Sequence, residues 1–523
     1  MSAVDPITLQ VTVGALRAAC QEMGAVLIRA AHSANIKERH DCSTALFDRA
    51  GQMIMQAEHI PVHLGAMPAS VAAVVAEDHA AGRSWILNDP FAGGTHLPDI
   101  TVVTPVFGDG GPLLGFAATR AHHADVGADV PGSMPADSTT LAQEGVVIPP
   151  TVLTDALIDE LVPRMRQPQQ RRADLAAQLA ANRVGAVRLR ELASAVGAAR
   201  LAGVIAAVQD YAERRTRACL DGLADGTRCA VDVLEARDGD LELRLAATVR
   251  GNELELDFTG SAAQDSGNLN CPLAVTVSAC LLALRVLTDP DIPPCAGVLR
   301  PLRVIVPEGT LLNASAPAAV AAGNVETSSR VADLVLTAFG HAQGQGTMNS
   351  LTLGDETFTY YETVGGGQGA GAQADGPSGR HVAMSNTLNT PVEALEIEFP
   401  VRVTRYELRS GSGGAGAHRG GDGVVRELQA LQEMTYSVIG ERRRHRPRGA
   451  AGGDDGAHGR TVLTRVDGTE VDLGAKAMGT LQAGERLRQE TPGGGGYGHA
   501  VSGGSDAVVA LEPPLGVPPS CSA

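Results

Sequence analysis

Near the start of the chain, Leu16, Cys20, Met23, Leu27 and Ala30 recur at steps of three and four, which predicts an amphipathic helix over residues 8–31. Residues 43–57 read as two short strands about a turn at Asp48–Gly51. A second helix is expected over 65–80, and 84–132 mixes short apolar runs with Gly and Pro, as strands with long functional loops do. From 151 to 222, Gly and Pro are sparse, and Leu201, Val204, Val208 and Tyr211 mark one buried helical face. Alternation returns at Leu241, Leu243 and Leu245 and again at Leu254, Leu256 and Phe258, predicting an antiparallel pair that turns near Gly251–Asn252. Buried helices are expected at 272–288 and 325–342. From about 347 the chain reads as strands interrupted by glycine-rich strings, GGGQGAG at 365–371, GSGGAGAHRGGDG at 411–423 and PGGGGYG at 492–498. No repeat of fixed period is present.

This order of elements predicts a mixed α/β (α+β), multi-domain chain. Its expected parts are an N-terminal α/β region (1–150) bearing the site, a helical segment (151–225), an α+β region with glycine-rich loops (226–505) and a flexible, proline-bearing tail (506–523). Composition narrows the function. The 523 residues carry a formal charge of −17, the wrong sign for a general nucleic-acid or anionic-membrane binder. Hydrophobic residues make up 44% and aromatics only 3%, so a large core must be built from aliphatic side chains. The eight cysteines include no C-x-x-C pair, which favours reduced thiols and a cytoplasmic protein over a zinc ribbon or a disulfide scaffold. No basic-then-apolar leader is apparent, and the longest apolar stretch, about 272–287, is short and contains Arg285, so no membrane span is expected.

Candidate chemistry concentrates early. Eight of the 14 histidines (His32, His40, His59, His63, His79, His96, His122, His123) fall in the first quarter. In NDPFAGGTHLPD (88–99), His96 and Asp99 stand three positions apart with Pro98 between them, so a turn would bring both to one point. In RAHHADVG (120–127), His122 and His123 are adjacent, and on a strand only one can easily join that point. Two imidazoles with one or two carboxylates form a mixed N/O set that suits Zn, Mn or Fe rather than Ca or Mg. The segment IKERHDCSTALFD (36–48) reads either as a solvated helix end or as a turn aiming Asp41 inward. QAEHIPVHLGAMP (56–68) offers Glu58, His59 and His63, either as helix-capping loop residues or as acid/base groups near a metal.

Nucleotide motifs are missing. No P-loop occurs, and GSGGAG (411–416) matches G-x-G-x-x-G formally, but the HRGGDG after it does not open the helix a pyrophosphate needs. G-x-S-x-G is absent as well. ERRRHRPRG (441–449) places five Arg in nine positions and reads as a basic surface patch facing an acidic partner or a phosphate.

Taken in order, ACQEMGAVLIRAAHSANIKERHDCSTALFD, AEHIPVHLGAMP, NDPFAGGTHLPDITVV, TRAHHADVGADVPGSMP and QPQQRRADLAAQLAANRVG strongly resemble the hydantoinase B/oxoprolinase family. So do DFTGSAAQDSGNLNCP, ETVGGGQGA, NTLNTPVEALE and LRSGSGGAGAHRGGDGVVRE, and the likeness runs from about residue 5 to about 500. The resemblance implies a B-type subunit of an ATP-dependent cyclic-amide hydrolase, opening hydantoin, N-methylhydantoin or 5-oxoproline rings. ATP would be bound by a separate A-type subunit or domain with an actin-like ATPase fold. Family metal ligands map onto Asp41, His96, Asp99 and one of His122 and His123, with His122 favoured. Glu58 or His59 becomes the candidate general base, and main-chain N–H groups of 365–371 become a candidate cradle for negative charge. Cys42 and the Gly127–Ala128 pair depart from the family pattern, which bears on pocket shape more than on the ligands. Two other readings follow: a chain resembling the α subunit of acetone-carboxylase-type enzymes, and a non-catalytic scaffold for the ATPase partner.

Overall fold

The computed structural model describes residues 4–58 and 60–500, the side chain of Glu58 excepted. Helix α1 (Pro6–Ala30) starts where the sequence provides a cap and a first turn together. Asp5 accepts from the Thr8 N–H at 2.9 Å, and Pro6 fills the first turn, where a missing N–H costs nothing. Leu16, Cys20, Met23 and Leu27 are wholly buried, and burial of each such side chain is worth roughly 1.5–3 kcal/mol. With a mean hydropathy of 1.3, α1 is long and apolar enough to cross a membrane, contrary to the expectation that no stretch would be. Here that apolar stripe is spent on the protein's own core.

A short turn of helix, α2 (Ala34–Lys37), leads into an antiparallel sheet of six strands: β1 (Cys42–Asp48), β2 (Met53–Glu58), β3 (Ser84–Leu87), β4 (Asp99–Phe107), β5 (Leu113–His122) and β6 (Thr151–Leu153). Their spatial order is β2-β1-β5-β4-β3-β6. The predicted β1–β2 hairpin is present, with Gly51 at φ +75° in its turn. The helix expected at 65–80 is only α3 (Ala66–Ala72). Val74 then leaves helical geometry to pack with Phe47, Trp85 and Phe116 on one face of the sheet.

The region 151–222 is not helical throughout, because Thr151–Leu153 pairs with β3 as an edge strand. After α4 (Asp155–Leu161) come two long helices, α5 (Pro168–Val196) and α6 (Ala198–Asp221), separated by Gly197 at φ +85° and bent by 108°. Helix α5 lies on the opposite sheet face from α3. Gln178 donates to Ile100 O (2.9 Å) and Asn182 to Val102 O (2.9 Å).

A second sheet holds β7 (Gly226–Ala236), β8 (Gly239–Arg250), β9 (Glu253–Asp257) and β10 (Leu302–Ile305), in the order β10-β9-β8-β7. The predicted β8–β9 pair is present. Strand β7 was not anticipated, since Arg228, Asp232 and Glu235 interrupt its apolar alternation. Helices α7 (Leu273–Leu287) and α8 (Ser328–Ala338) join the same core, and a π-helical turn (Gly323–Thr327) precedes α8.

The remainder comprises β11 (Ser350–Gly354), β12 (Thr359–Glu362), α9 (Val392–Glu398), β13 (Val401–Arg409), β14 (Gly423–Ala430), β15 (Met434–Ile439), β16 (Arg460–Thr464), β17 (Glu470–Asp472), β18 (Lys476–Leu481) and β19 (Arg486–Glu490). They form two sheets, β12-β11-β15-β18 and β13-β14-β19-β16-β17. The whole is the expected mixed α/β architecture with several sheets.

Two sequence expectations change here. The glycine strings lie side by side and bond backbone to backbone: Gly414 N to Gly494 O, Gly421 N to Gln368 O and Gly494 N to Gly421 O, each at 2.9 Å. A Cβ on Gly367 would come within 2.0 Å of Gly421 O, so glycine is demanded by chain packing. The basic run at 441–449 is only partly at the surface. Glu441 and Arg442 are buried, and Arg442 pairs with Asp232 (3.1 Å) and Asp333 (3.2 Å). Opposite charges supplied from β7 and α8 turn a segment that reads as exposed into an internal network. Cys20, Cys42, Cys219, Cys271, Cys280 and Cys295 are free thiols, as expected.

Candidate metal centre

Strand register assembles the site. Asp99 opens β4 directly opposite His122, the last residue of β5, and Cys42 at the start of β1 sits opposite Ala121. Asp41, Asp99 and His122 therefore share one end of the six-stranded sheet. His96 reaches the same point through a tight turn, in which the Asp99 N–H donates to the His96 carbonyl at 3.1 Å. Asn88 braces that loop by donating to Leu97 O (2.8 Å) and Val146 O (2.9 Å). Buried Arg120 also holds it, through Gly93 O (3.2 Å) and the Ser70 hydroxyl (2.6 Å). Asp41 is aimed by a strained turn. His40 adopts φ +57°, and Asp41 N–H donates to Asn35 O at 3.0 Å.

The resulting cluster is close and dry. His96 Nε2 lies 3.2 Å from His122 Nδ1 and 3.3 Å from Asp99 Oδ1; His122 Nδ1 lies 3.4 Å from Asp99 Oδ1 and 3.9 Å from Asp41 Oδ2. All four residues are at most 3% exposed. Ile60, Val62, Asn324, Val325, Met348, Tyr361 and Thr363 line a small cavity around them. About 10 Å³ is open there to the centre of a water-sized sphere, space for one ion or one water. Asp99 Oδ1 is buried without a hydrogen-bond donor, an expensive arrangement for a carboxylate unless a cation completes it.

Electrostatics agree with that fit. Burial opposes ionisation of Asp99, yet the imidazoles of His96 and His63 outweigh it and hold the carboxyl well below its usual range. Burial also lowers the His122 imidazole, more than Asp99 and Asp41 raise it, which favours the neutral form a metal needs. Its orientation comes from stacking: the ring lies on Tyr361 at 4.6 Å and 7°, and Arg39 covers the same tyrosine at 4.8 Å.

The structure thus brings Asp41, His96, Asp99 and His122 together. His123 is turned to the other face, where its Nε2 meets Gln178 Oε1 at 3.0 Å and burial pushes it down to about 4. Glu58 ends β2 opposite Ser43; its side chain and the whole of His59 lie outside the described residues. The solvated-helix-end reading of 36–41 fails for Arg39 and Asp41, both buried. In the 365–371 cradle candidate, N–H groups of Gly366, Gly367, Gln368 and Ala370 donate to Arg380, Pro492, Pro377 and Gly495 carbonyls, leaving none of these four for an anion. Sequence reasoning missed Tyr361, Asn324 and the contact of His63 with Asp99. A separate cleft of about 600 Å³ is lined in part by Ser138, Asp238, Arg444 and Lys476.

With this geometry established, comparison with known proteins is decisive. The hydantoinase B/oxoprolinase family profile matches residues 5–500. The chain belongs to the hydantoinase B/oxoprolinase family. It is 40% identical to 5-oxoprolinase 1 of Arabidopsis thaliana over 92% of its own length, but spans only 41% of that relative. A provisionally named B-type subunit of a D-/L-hydantoinase from Pseudomonas sp. is 30% identical, the match covering 95% of this chain and 90% of that relative. The ATP-dependent caprolactamase of Pseudomonas jessenii superposes with a TM-score of 0.89 at 31% identity, covering 95% of this chain and 92% of that one. Acetone carboxylase, at 18% identity and a TM-score of 0.87, shares the fold.

Proposed function

We propose that the chain is the B-type part of an ATP-dependent cyclic-amide hydrolase, working with an A-type ATPase partner. The observation that carries this reading is the small buried cavity in which Asp41, His96, Asp99 and His122 converge within a member of this family. The named relatives support cyclic amides as the substrate class, and the Pseudomonas hydantoinase relative, itself named as one subunit of an enzyme, supports a partner chain.

Amide resonance makes the ring carbonyl a poor electrophile, so two kinds of help are needed. The partner would activate the carbonyl with ATP. A Zn, Mn or Fe ion held by the two carboxylates and two imidazoles would supply Lewis acidity and acidify a water toward neutrality. The chain's own groups do the rest. Asp41 and Asp99 set the charge of the site, and the stacked His122 ring fixes its shape. Ile60, Val62, Val325 and Met348 keep bulk water away from the reacting centre. Asn324 Oδ1 is buried on the cavity wall without a hydrogen-bond partner, an acceptor for a water held in that space. Glu58 or His59, immediately before cavity-lining Ile60, is the proposed general base.

The deciding experiment is co-expression with the A-type partner, metal analysis, and an ATP-consumption screen over 5-oxoproline, hydantoin, N-methylhydantoin and caprolactam. Ring opening coupled to ATP use is expected. Turnover only with a ketone and bicarbonate would replace this reading with carboxylation, and a complex without metal or turnover would leave a scaffold.

A further inference from the structure

His63 stands immediately beside the four converging residues and bonds one of them, Asp99. It closes a single turn, Pro61–His63, of which Val62 and the preceding Ile60 line the cavity while His63 does not. The imidazole is fully buried, and both ring nitrogens are engaged. Nδ1 is 3.0 Å from the Ser43 hydroxyl, and Nε2 is 3.3 Å from Asp99 Oδ2. The same Oδ2 accepts the Thr95 hydroxyl at 2.6 Å. Of the two Asp99 oxygens, one is therefore bonded and the other, Oδ1, is bare and faces His96 and His122.

We propose that His63 is a positioning residue: with Ser43 and Thr95 it clamps Oδ2 of Asp99 and leaves Oδ1 as the single metal-facing oxygen. The hydrogen-bond arithmetic fixes one proton. Asp99 Oδ2 can only accept, so Nε2 carries a proton; Nδ1 then either accepts from the Ser43 hydroxyl or, in the doubly protonated ring, donates to its oxygen on β1. A carboxylate held this way loses little freedom when a cation arrives, and partners of metal ligands commonly govern affinity by 10–100-fold. The competing arrangement is a second ion, since Asp41, His63 and Asp99 also offer atoms within 4.8 Å of one another. That would require His63 to give up the Nε2 proton.

The inference rests on the metal reading above, and its test separates the two. The full-length chain is titrated with Co²⁺ or Zn²⁺ while stoichiometry, affinity and the Co²⁺ absorption spectrum are followed, with circular dichroism to verify folding. The wild type is expected to bind one ion, and His63→Ala to bind it 10–100-fold more weakly with an altered Co²⁺ spectrum. His63→Gln, whose amide N–H can still donate to Oδ2, should recover part of the affinity. Thr95→Val, removing the other donor, should weaken binding in the same direction. Unchanged affinity and spectrum in His63→Ala would overturn the positioning role alone. Two ions per wild-type chain, with one lost in His63→Ala, would overturn it by making His63 a ligand. No ion in the wild type would instead bring down the metal reading itself.

Discussion

A buried charge must find a partner or lose its charge, and this rule explains the individual residues that matter most. Asp99 keeps its charge because His96 and His63 face it. Removal of His96 takes away one nitrogen of the cluster, so His96→Ala should abolish stoichiometric metal binding with an unchanged far-ultraviolet spectrum; elemental analysis of the purified variant checks this. Glu326 follows the other branch. It is buried on the π-helical turn with one oxygen bonded to Met348 N–H (3.2 Å) and the other unpaired, and burial pushes it up to about 7. A folded-state value above the ordinary 4.5 means the stability it contributes is complete below pH 4.5 and is lost as pH rises through about 7. Between pH 5.5 and pH 8 the wild type should lose roughly 2 kcal/mol that Glu326→Gln does not, read as a change in the gap between their denaturant midpoints. Asp41, His96, Asp99 and His122 were legible because each lies in a short motif whose local geometry, a turn or a strand end, does the aiming. Tyr361 and Asn324 were not, because they arrive from more than 200 residues away and nothing local marks them.

Elements were legible where one periodicity ruled a whole segment, as in α1, the β1–β2 hairpin and α7. They were not where charge or brevity broke the pattern. Strand β7 carries Asp232 and Glu235, which bond Arg442 and the main-chain N–H groups of Arg443, Arg444 and His445, so its polar positions face inward to a buried network rather than to solvent. The three residues of β6 are too few to show any period. Glycine is the sharpest case, because the same residue type serves opposite ends in different elements. Gly14, in the middle of α1, has open space where a Cβ would stand and no positive φ. Gly14→Ala should therefore stabilise the protein by about 0.5–1 kcal/mol through helix propensity. At Gly367 a Cβ would meet the Gly421 carbonyl at 2.0 Å, in a layer where neighbouring segments hold one another by main-chain bonds. Gly367→Ala should cost several times what Gly14→Ala gains, since backbone must move to make room. Thermal and denaturant unfolding of the two variants beside wild type tests the contrast in sign.

For the molecule as a whole, the same glycine layer bears on the division of labour. A nucleotide site needs main-chain N–H groups pointing outward at a helix start or in a phosphate-binding loop. Here the N–H groups of Gly366, Gly367, Gln368, Ala370, Gly414, Gly421, Gly494 and Gly496 all donate to carbonyls within the layer. The candidate metal centre, by contrast, lies at one end of the N-terminal sheet and is closed by Tyr361 and Thr363 from the β12 segment, so both halves of the chain are needed to complete it. The chain spans 41% of a 5-oxoprolinase and 92% of a caprolactamase chain, and the proposed function shares the chemistry out between this chain and a partner. The isolated, metal-loaded chain should then hydrolyse no ATP above background, with or without a lactam, in a phosphate-release assay. Addition of the A-type partner should restore ATP hydrolysis, and His96→Ala within that complex should uncouple it, leaving nucleotide turnover without ring opening. Robust ATPase activity in the isolated chain would mean that the glycine layer opens in solution to expose the N–H groups it now uses internally, and the proposed division between activating partner and metal-bearing chain would have to be abandoned.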